Sequence, residues 1–325
     1  MRKNILRGLL TVLLGTTSLS LVNAQMPAQS AANVEAPGFS LGMNFGLSDF
    51  WGDVGTATVI DHYTNNKYWD LPHFAGGLFA RYSFHPFIAA RLGVSYGTYY
   101  ATDEWNVQKA KQATSLQSDY VQRYARRQDI KDNIWEGTLM FEISPLRLNY
   151  RSKMAHHRLQ PILLAGVGYF HYTPYSTFTD PETHVSQMVN IANLHLEGDG
   201  FKNMPGAPSA VSQWQICVPL GAGLKLDVGE HITIGAEWVW RMTMTDYLDG
   251  VSNKYIDPAY YKTNLSPTNA YIATYLGNRT WVEHVDVATT GDTRGNPSNN
   301  DSYSTIQISV FYKFNTHTTN WWGGN

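Results

Sequence analysis

The chain has 325 residues, and its 24 Lys and Arg against 26 Asp and Glu leave a formal net charge of −2. That balance excludes a broadly basic surface, so no nucleic acid is expected as a partner. Charged residues make up only 15% of the chain while aromatics reach 13%, with 20 Tyr and 27 Gly, whereas an ordinary soluble domain is about a quarter charged.

Arg2 and Lys3 precede an apolar run from Ile5 to Val22. A basic start, a short apolar stretch and the cleavable Val22-Asn23-Ala24 predict a signal peptide over 1–24, with Gln25 as the new N-terminus and 25–36 as a short periplasmic segment. Cys217 is the single cysteine, so no internal disulfide is available and no lipid anchor follows the cut. Beyond Gln25 no run approaches the roughly 18 apolar residues of a spanning helix. A membrane reading must therefore rest on strands.

Strict alternation begins at once. Phe39, Leu41, Met43, Phe45 and Leu47 interleave with Ser40, Gly42, Asn44 and Gly46; side chains alternate across a strand, so one face is greasy and the other small and polar. A second segment sets Phe74, Leu78, Ala80, Tyr82 and Phe84 against Ala75, Gly77, Phe79, Arg81 and Ser83, ending at a His85-Pro86 turn. The third sets Ile88, Ala90, Leu92, Val94 and Tyr96 against Arg91, Gly93, Ser95 and Gly97. The fourth sets Trp135, Leu139, Phe141 and Ile143 against Glu136, Thr138, Met140 and Glu142. A fifth, about Pro161 to Tyr172, is apolar on both faces and leaves its orientation open. The sixth alternates Trp214 to Leu224 with Gln215 to Lys225, the seventh Ile232 to Trp240 with Thr233 to Arg241, and the eighth Ile306 to Phe314 with Gln307 to Lys313.

Connections alternate between short (85–87, 144–160, 226–231) and long (48–73, 101–132, 173–211, 243–302), the pattern of an up-and-down outer-membrane barrel with short periplasmic turns. The expected fold is all-β: a transmembrane antiparallel barrel of about eight strands over 37–314, followed by a tail over 315–325. Gly and Ser cannot cover a wet exterior, so the greasy face points to lipid and the polar face to the lumen. Tyr96, Tyr99 and Tyr100 at one end, and Phe84, Phe87, Tyr312 and Phe314 at the other, are expected as interfacial belts. The inner face gathers Arg81, Arg91, Glu136, Glu142, Lys225, Glu237 and Arg241. In so narrow a barrel these charges are expected to pair as a structural plug, with no diffusion pore.

No catalytic, cofactor or metal site emerges, and no enzyme is expected. The 11 histidines are scattered, with no H-E-x-x-H and no G-x-S-x-G. His156 and His157 fall in a basic turn with Arg151, Lys153 and Arg158, which reads as solvated charge. Gly221-Ala222-Gly223 lacks the Lys and Ser/Thr of a phosphate loop and reads as room made for lumen side chains. The 101–132 loop, with Lys109, Lys111 and Tyr120 to Gln128, has the makings of a short surface helix.

The last long loop carries Thr243-Met244-Thr245-Asp246-Tyr247-Leu248-Asp249-Gly250-Val251-Ser252, then Tyr255-Ile256-Asp257-Pro258, and closes with Arg294-Gly295-Asn296-Pro297-Ser298-Asn299-Asn300-Asp301. Together with Leu47-Ser48-Asp49-Phe50-Trp51-Gly52-Asp53, these segments resemble the PorG family of outer-membrane barrels in the type IX secretion system. The resemblance implies a non-enzymatic subunit that anchors or docks the periplasmic ring of PorK and PorN, here through turns such as Leu146 to Arg158. Its rivals are a stand-alone OmpA-like or porin-like barrel and, less favoured, an outer-membrane lipid hydrolase with a Ser-His-Glu set on its rim. The Asp and Asn density of the loop suits turn chemistry; Asp246, Asp249, Asp257 and Asp301 as oxygen ligands of Ca²⁺ is the alternative.

Overall fold

A computed structural model describes residues 35, 37–56, 73–115, 118–149, 153–280 and 288–314. The expected signal peptide, its cleavage point and the 315–325 tail lie outside the described residues. The sheet strands are β1 Gly38–Trp51, β2 His73–His85, β3 Ile88–Thr102, β4 Asp129–Ile143, β5 Leu159–Thr179, β6 Ser186–Asn190, β7 Trp214–Asp227, β8 Ile232–Thr243 and β9 Ser302–Lys313.

All pairings are antiparallel, in the order β4-β3-β2-β1-β9-β8-β7-β5-β6, and β4 also pairs with β5. That last pairing closes eight strands into a barrel and leaves β6 as an appendage on β5. Closure removes the exposed ladder edges that a lipid environment cannot satisfy. The register follows the alternation: Leu41 lies opposite both Ala80 and Tyr312, and Leu92 opposite both Ala80 and Leu139.

The barrel is inside-out. Leu41, Met43, Phe45, Leu78, Leu92, Val94, Val167 and Ile308 are exposed on its wall, Leu92 at 65%. Arg81, Arg91, Lys225 and Glu142 are at most 2% exposed inside it. Water would reverse that distribution, so the wall faces lipid. No described helix is long and apolar enough to cross a membrane; the strands do so.

β5 settles the orientation left open by its sequence. Leu159, Leu163, Val167 and Tyr169 face outward, and Gln160, Ile162, Leu164, Phe170 and Tyr172 are buried. Its 21 residues are roughly twice the 9–11 that cross a bilayer, so the far half stands beyond the rim and pairs Tyr175–Thr179 with β6. β1 likewise runs to Trp51, turning most of the expected loop motif 47–53 into strand.

The aromatic belts form with one correction. Phe45 stacks on Phe74 at 5.5 Å, Tyr96 lies 4.8 Å from Trp135 and Trp51 4.7 Å from Trp240 at the long-loop end, while Phe39 stacks on Phe314 at 5.8 Å at the other. Tyr99 is not in a belt. It is three residues from Tyr96, so strand parity turns it inward, where it meets Tyr303 at 5.1 Å.

The long loops fold into a cap over one mouth. After a 3₁₀ turn at Asp103–Asn106 come α1 Val107–Gln112 and α2 Asp119–Arg126; the β8–β9 loop contributes α3 Ala259–Asn264 and α4 Pro267–Gly277. Ser266 caps α4 by accepting the Asn269 N–H, with Pro267 in the first turn. Ala270, Ala273 and Leu276 of α4 join Phe178, Ile191, Leu194, Leu248 and Tyr261 in a core that continues down to Phe170, Cys217 and Tyr303 in the upper lumen. The apolar core thus occupies the cap and upper lumen, and the ionic core the lower lumen.

Candidate functional site

Two constellations gather buried polar groups. The first is the lower lumen. Glu142 of β4 accepts hydrogen bonds from Arg81 Nη2 at 2.9 Å, Arg91 Nε at 2.7 Å and Lys225 Nζ at 2.7 Å. Arg91 reaches on to Glu237 at 2.9 Å, and Arg241 donates to Glu136 at 2.8 Å nearer the cap. All seven charged residues expected to line the lumen are paired inside it, five of them joined through Glu142 and Glu237 and the Glu136–Arg241 pair standing by itself above them.

Two further members escape strand periodicity. Glu35, ahead of β1, accepts from Arg81, from Arg147 at 2.5 Å and from Lys225 at 3.0 Å. Arg147, in the 3₁₀ turn Pro145–Arg147 after β4, also donates to Asp227, which in turn pairs with Lys313 at 2.8 Å. Arg147 is therefore turned into the barrel mouth, whereas His157 and Arg158 of the expected basic turn are exposed.

Small residues make the room. A Cβ on Gly42 would lie 2.5 Å from the Phe79 ring, which itself packs under Arg91 at 5.0 Å; one on Gly223 would crowd Glu237 Cγ at 3.0 Å. The glycines of the Gly221-Ala222-Gly223 stretch thus serve packing. Each network member is buried with opposite charges and donors around it, the condition under which a buried ion is tolerated. What this arrangement does chemically is fill the bore with paired charges.

The second constellation ties the family-motif loop to the loop after β1. Asp249 is fully buried and accepts the Val54 N–H at 2.8 Å and the Val251 N–H at 2.9 Å. Asp301, just before β9, accepts the Leu248 N–H at 2.9 Å through Oδ2. Arg294 donates to Glu197 at 2.9 Å and to the Gly250 carbonyl at 2.6 Å, and Glu197 also accepts the Ser252 and Asn253 N–H groups. The Asn296 N–H donates to Asp53 Oδ2 at 2.5 Å. Gly295 is required there, because a Cβ would meet the same oxygen at 2.5 Å. Tyr247 accepts from Asn253 Nδ2 at 2.8 Å.

Not every residue of the motif takes part. Asp257 is exposed and accepts the Ala259 N–H at the start of α3, and Asn300 is exposed. Conversely Asp53, Asp103, Arg126 and Glu197 belong to the node and were not singled out as site residues. Asp53 lies in the 47–53 motif, whereas Asp103, Arg126 and Glu197 come from loops with no period to mark them.

The acids of this node repel one another. Burial, and after it the charge of Asp53, pushes the Asp249 carboxyl up to about 7. Burial pushes Asp246 up to about 8, with Asp249, Asp53 and Glu197 adding to it, and burial followed by Asp249 and Asp246 raises Asp301 well above the usual carboxylate range. Arg126 bears on Asp249 but is engaged with Asp103 at 2.8 and 2.9 Å.

No protein-family model matches the chain, and no curated protein matches it. Among solved structures it is similar to Ail, the attachment invasion locus protein of Yersinia pestis, at 10% identity and a TM-score of 0.34, over 86% of this chain and 100% of that one. Neisserial surface protein A gives 11% identity and 0.35, and a major outer membrane protein from Thermus thermophilus gives 12% and 0.38, each over 86% of this chain and 100% of its own. The barrel architecture rests on the strand pairing and inside-out polarity described above, not on these likenesses. This chain is an eight-stranded barrel of the outer-membrane type.

Proposed function

We propose that this chain is a non-enzymatic outer-membrane subunit of a type IX secretion apparatus, anchoring the periplasmic ring formed by PorK and PorN. The motifs around Asp246, Asp249, Arg294 and Asp301 supply the family resemblance. The observation that carries the reading is the filled bore. Among the described residues it is filled by ionic groups below and apolar ones above, which favours work done on the surfaces of the molecule.

The short-turn end offers such a surface. Leu148 is 60% exposed, Met154 54% and Val228 52%, beside exposed His157 and Arg158. Exposed apolar side chains flanked by basic ones suit a protein partner carrying apolar and acidic groups. Because Arg147 is committed to Glu35 and Asp227, docking falls to the turn's outer residues.

The test is gentle extraction of native outer membranes, capture through a tag after Phe314, and identification of co-purifying proteins. Recovery of stoichiometric PorK and PorN, lost on exchanging 148–158 for a short neutral turn that keeps Arg147, is the expected result. A barrel recovered alone would overturn the reading in favour of a stand-alone structural barrel, and conductance in planar bilayers would do so in favour of a channel.

A further inference from the structure

Closure pairs each of the eight barrel strands on both sides, but β6 is paired with β5 alone. Its register shows which backbone groups turn outward. The Ile191 N–H donates to the Pro174 carbonyl at 3.0 Å and the Asp180 N–H to the Val185 carbonyl at 3.0 Å. In an antiparallel ladder hydrogen-bonded pairs alternate with non-bonded ones, so Val189 and Gln187 bond back to β5 opposite Ser176 and Phe178. Ser186, Met188 and Asn190, between them, point their N–H and C=O groups away from it. The far side of β5 agrees, because Thr177, opposite Met188, donates its N–H to Asp129 on the β4 side at 3.1 Å. Among the described residues, the outward backbone groups of Ser186, Met188 and Asn190 meet no protein partner.

An open edge is a template for another strand, and natural edges are blunted with charges, prolines or bulges. β6 reads Ser-Gln-Met-Val-Asn, with neither charge nor proline. Residues 181–188 are all exposed, Met188 at 45%. The edge is also held in place. On one face of the hairpin Tyr271 and Tyr275 of α4 stand edge-on to Phe178 at 6.0 and 5.1 Å. Arg279 donates to the Ser176 hydroxyl at 2.7 Å and to the Thr177 carbonyl at 2.8 Å. A strand fixed in this way pays little ordering entropy when another is added to it.

We propose that the free edge of β6 docks an extended, basic segment of a partner protein, which adds as a further strand alongside Ser186–Asn190. Main-chain hydrogen bonds to Ser186, Met188 and Asn190 supply the affinity, as in other strand-addition complexes. Charge selects the partner: the stretch 180–190 carries Asp180 and Glu182 and no Lys or Arg, so Lys or Arg in the segment is favoured and Asp or Glu is opposed. Alternate residues of the segment share the face of Met188 and are apolar or β-branched. A second copy does not fit. Two copies upright in one membrane carry β6 in the same sense, whereas two-fold pairing of identical edges requires antiparallel strands. This edge stands at the long-loop end, away from the short turns, so it goes beyond ring docking and does not depend on it.

The test uses the purified chain in detergent and a short, capped, fluorescent peptide that alternates valine with lysine. Expected is saturable binding by anisotropy, with slowed hydrogen exchange at the Met188 and Asn190 amides. The same peptide N-methylated throughout keeps its charge but has no N–H to offer, and should not bind; one with glutamate in place of lysine should bind about tenfold more weakly. Met188→Pro removes only an outward N–H and sets a ring where the added strand would lie, so affinity should fall about tenfold, while Met188→Leu should bind as the wild type does. Variants that keep the fast gel mobility of the unboiled barrel qualify as folded. The proposal is overturned by absent binding to the wild type, by equal binding of the N-methylated peptide, or by unchanged affinity in folded Met188→Pro. A dimer of this chain that Met188→Pro dissolves would assign the edge to a second copy and overturn it likewise.

Discussion

At the scale of single residues, Glu142 is the keystone of the lower lumen because three cations converge on it. Glu142→Gln keeps the shape and one acceptor but leaves Arg81, Arg91 and Lys225 short of a charge in a space sealed from water. The expected loss is about 3–5 kcal/mol of unfolding free energy, the range for breaking a buried pair, read from urea titrations of the barrel in lipid vesicles. Glu237→Gln should cost less, since Arg91 keeps Glu142, and the double variant should depart from additivity because both acids share Arg91. Equal and additive losses would mean that the charges act as separate pairs and not as one network. The seven lumen charges were legible in the sequence because each sits at an inward position of an alternating strand. Glu35 and Arg147 were not, because one precedes the first strand and the other lies in a turn, where side-chain direction has no period to betray it.

At the scale of elements, the helix α4 is held to the extended end of β5 by packing and not by ladder hydrogen bonds. α4 sets Tyr275 edge-on to Phe178 of β5 at 5.1 Å and Tyr271 at 6.0 Å, and buries Leu276 at 1% exposure. Leu276→Asp would place a carboxylate among Ala273, Tyr261 and their neighbours, losing the leucine's burial and adding a desolvation cost. The expected outcome is a cap that opens while the barrel stays closed: new protease cleavage within 180–213 and 244–301, with heat-modifiable gel mobility preserved. Loss of the fast-migrating band would instead show that the cap is part of the barrel's own folding unit. These elements also mark where the sequence ran out. Seven strands announced their faces by alternation, but β5 hides its own because Ile162, Leu164 and Phe170 are apolar inside a barrel whose other inward residues are mostly polar or small. α4 reads Pro-Thr-Asn-Ala-Tyr-Ile-Ala-Thr-Tyr-Leu-Gly, with no polar stripe to give a helical period, and β6 is too short to show one of period two. The 101–132 loop, by contrast, offers a short surface helix in its sequence, and α1 and α2 both lie within it.

At the scale of the whole molecule, the decisive property is that apolar and polar faces are exchanged relative to a soluble barrel. An exposed leucine on a water-facing wall can become arginine at little cost, whereas on a lipid-facing wall the cost depends on depth. Leu92 is the fifth residue of β3 from its short-turn end, near the middle of the roughly 9–11 residues that cross a bilayer, between Ala80 and Leu139, and Leu226 lies one residue from the short-turn end of β7. Leu92→Arg should cost about 2–4 kcal/mol in lipid vesicles and Leu226→Arg about 0–1, the difference between a bilayer midplane and its interface. The same pair measured in detergent should differ less, since a micelle lets an arginine reach water more readily than a bilayer does. If Leu92→Arg were as harmless as Leu226→Arg in vesicles, the wall would not be lipid-facing. The ionic network inside would then be the core of a soluble barrel wearing its hydrophobic residues outward, an arrangement that would drive aggregation in water. The depth dependence therefore bears on both faces at once: the lumen can hold buried charge only because the exterior gains its stability from lipid.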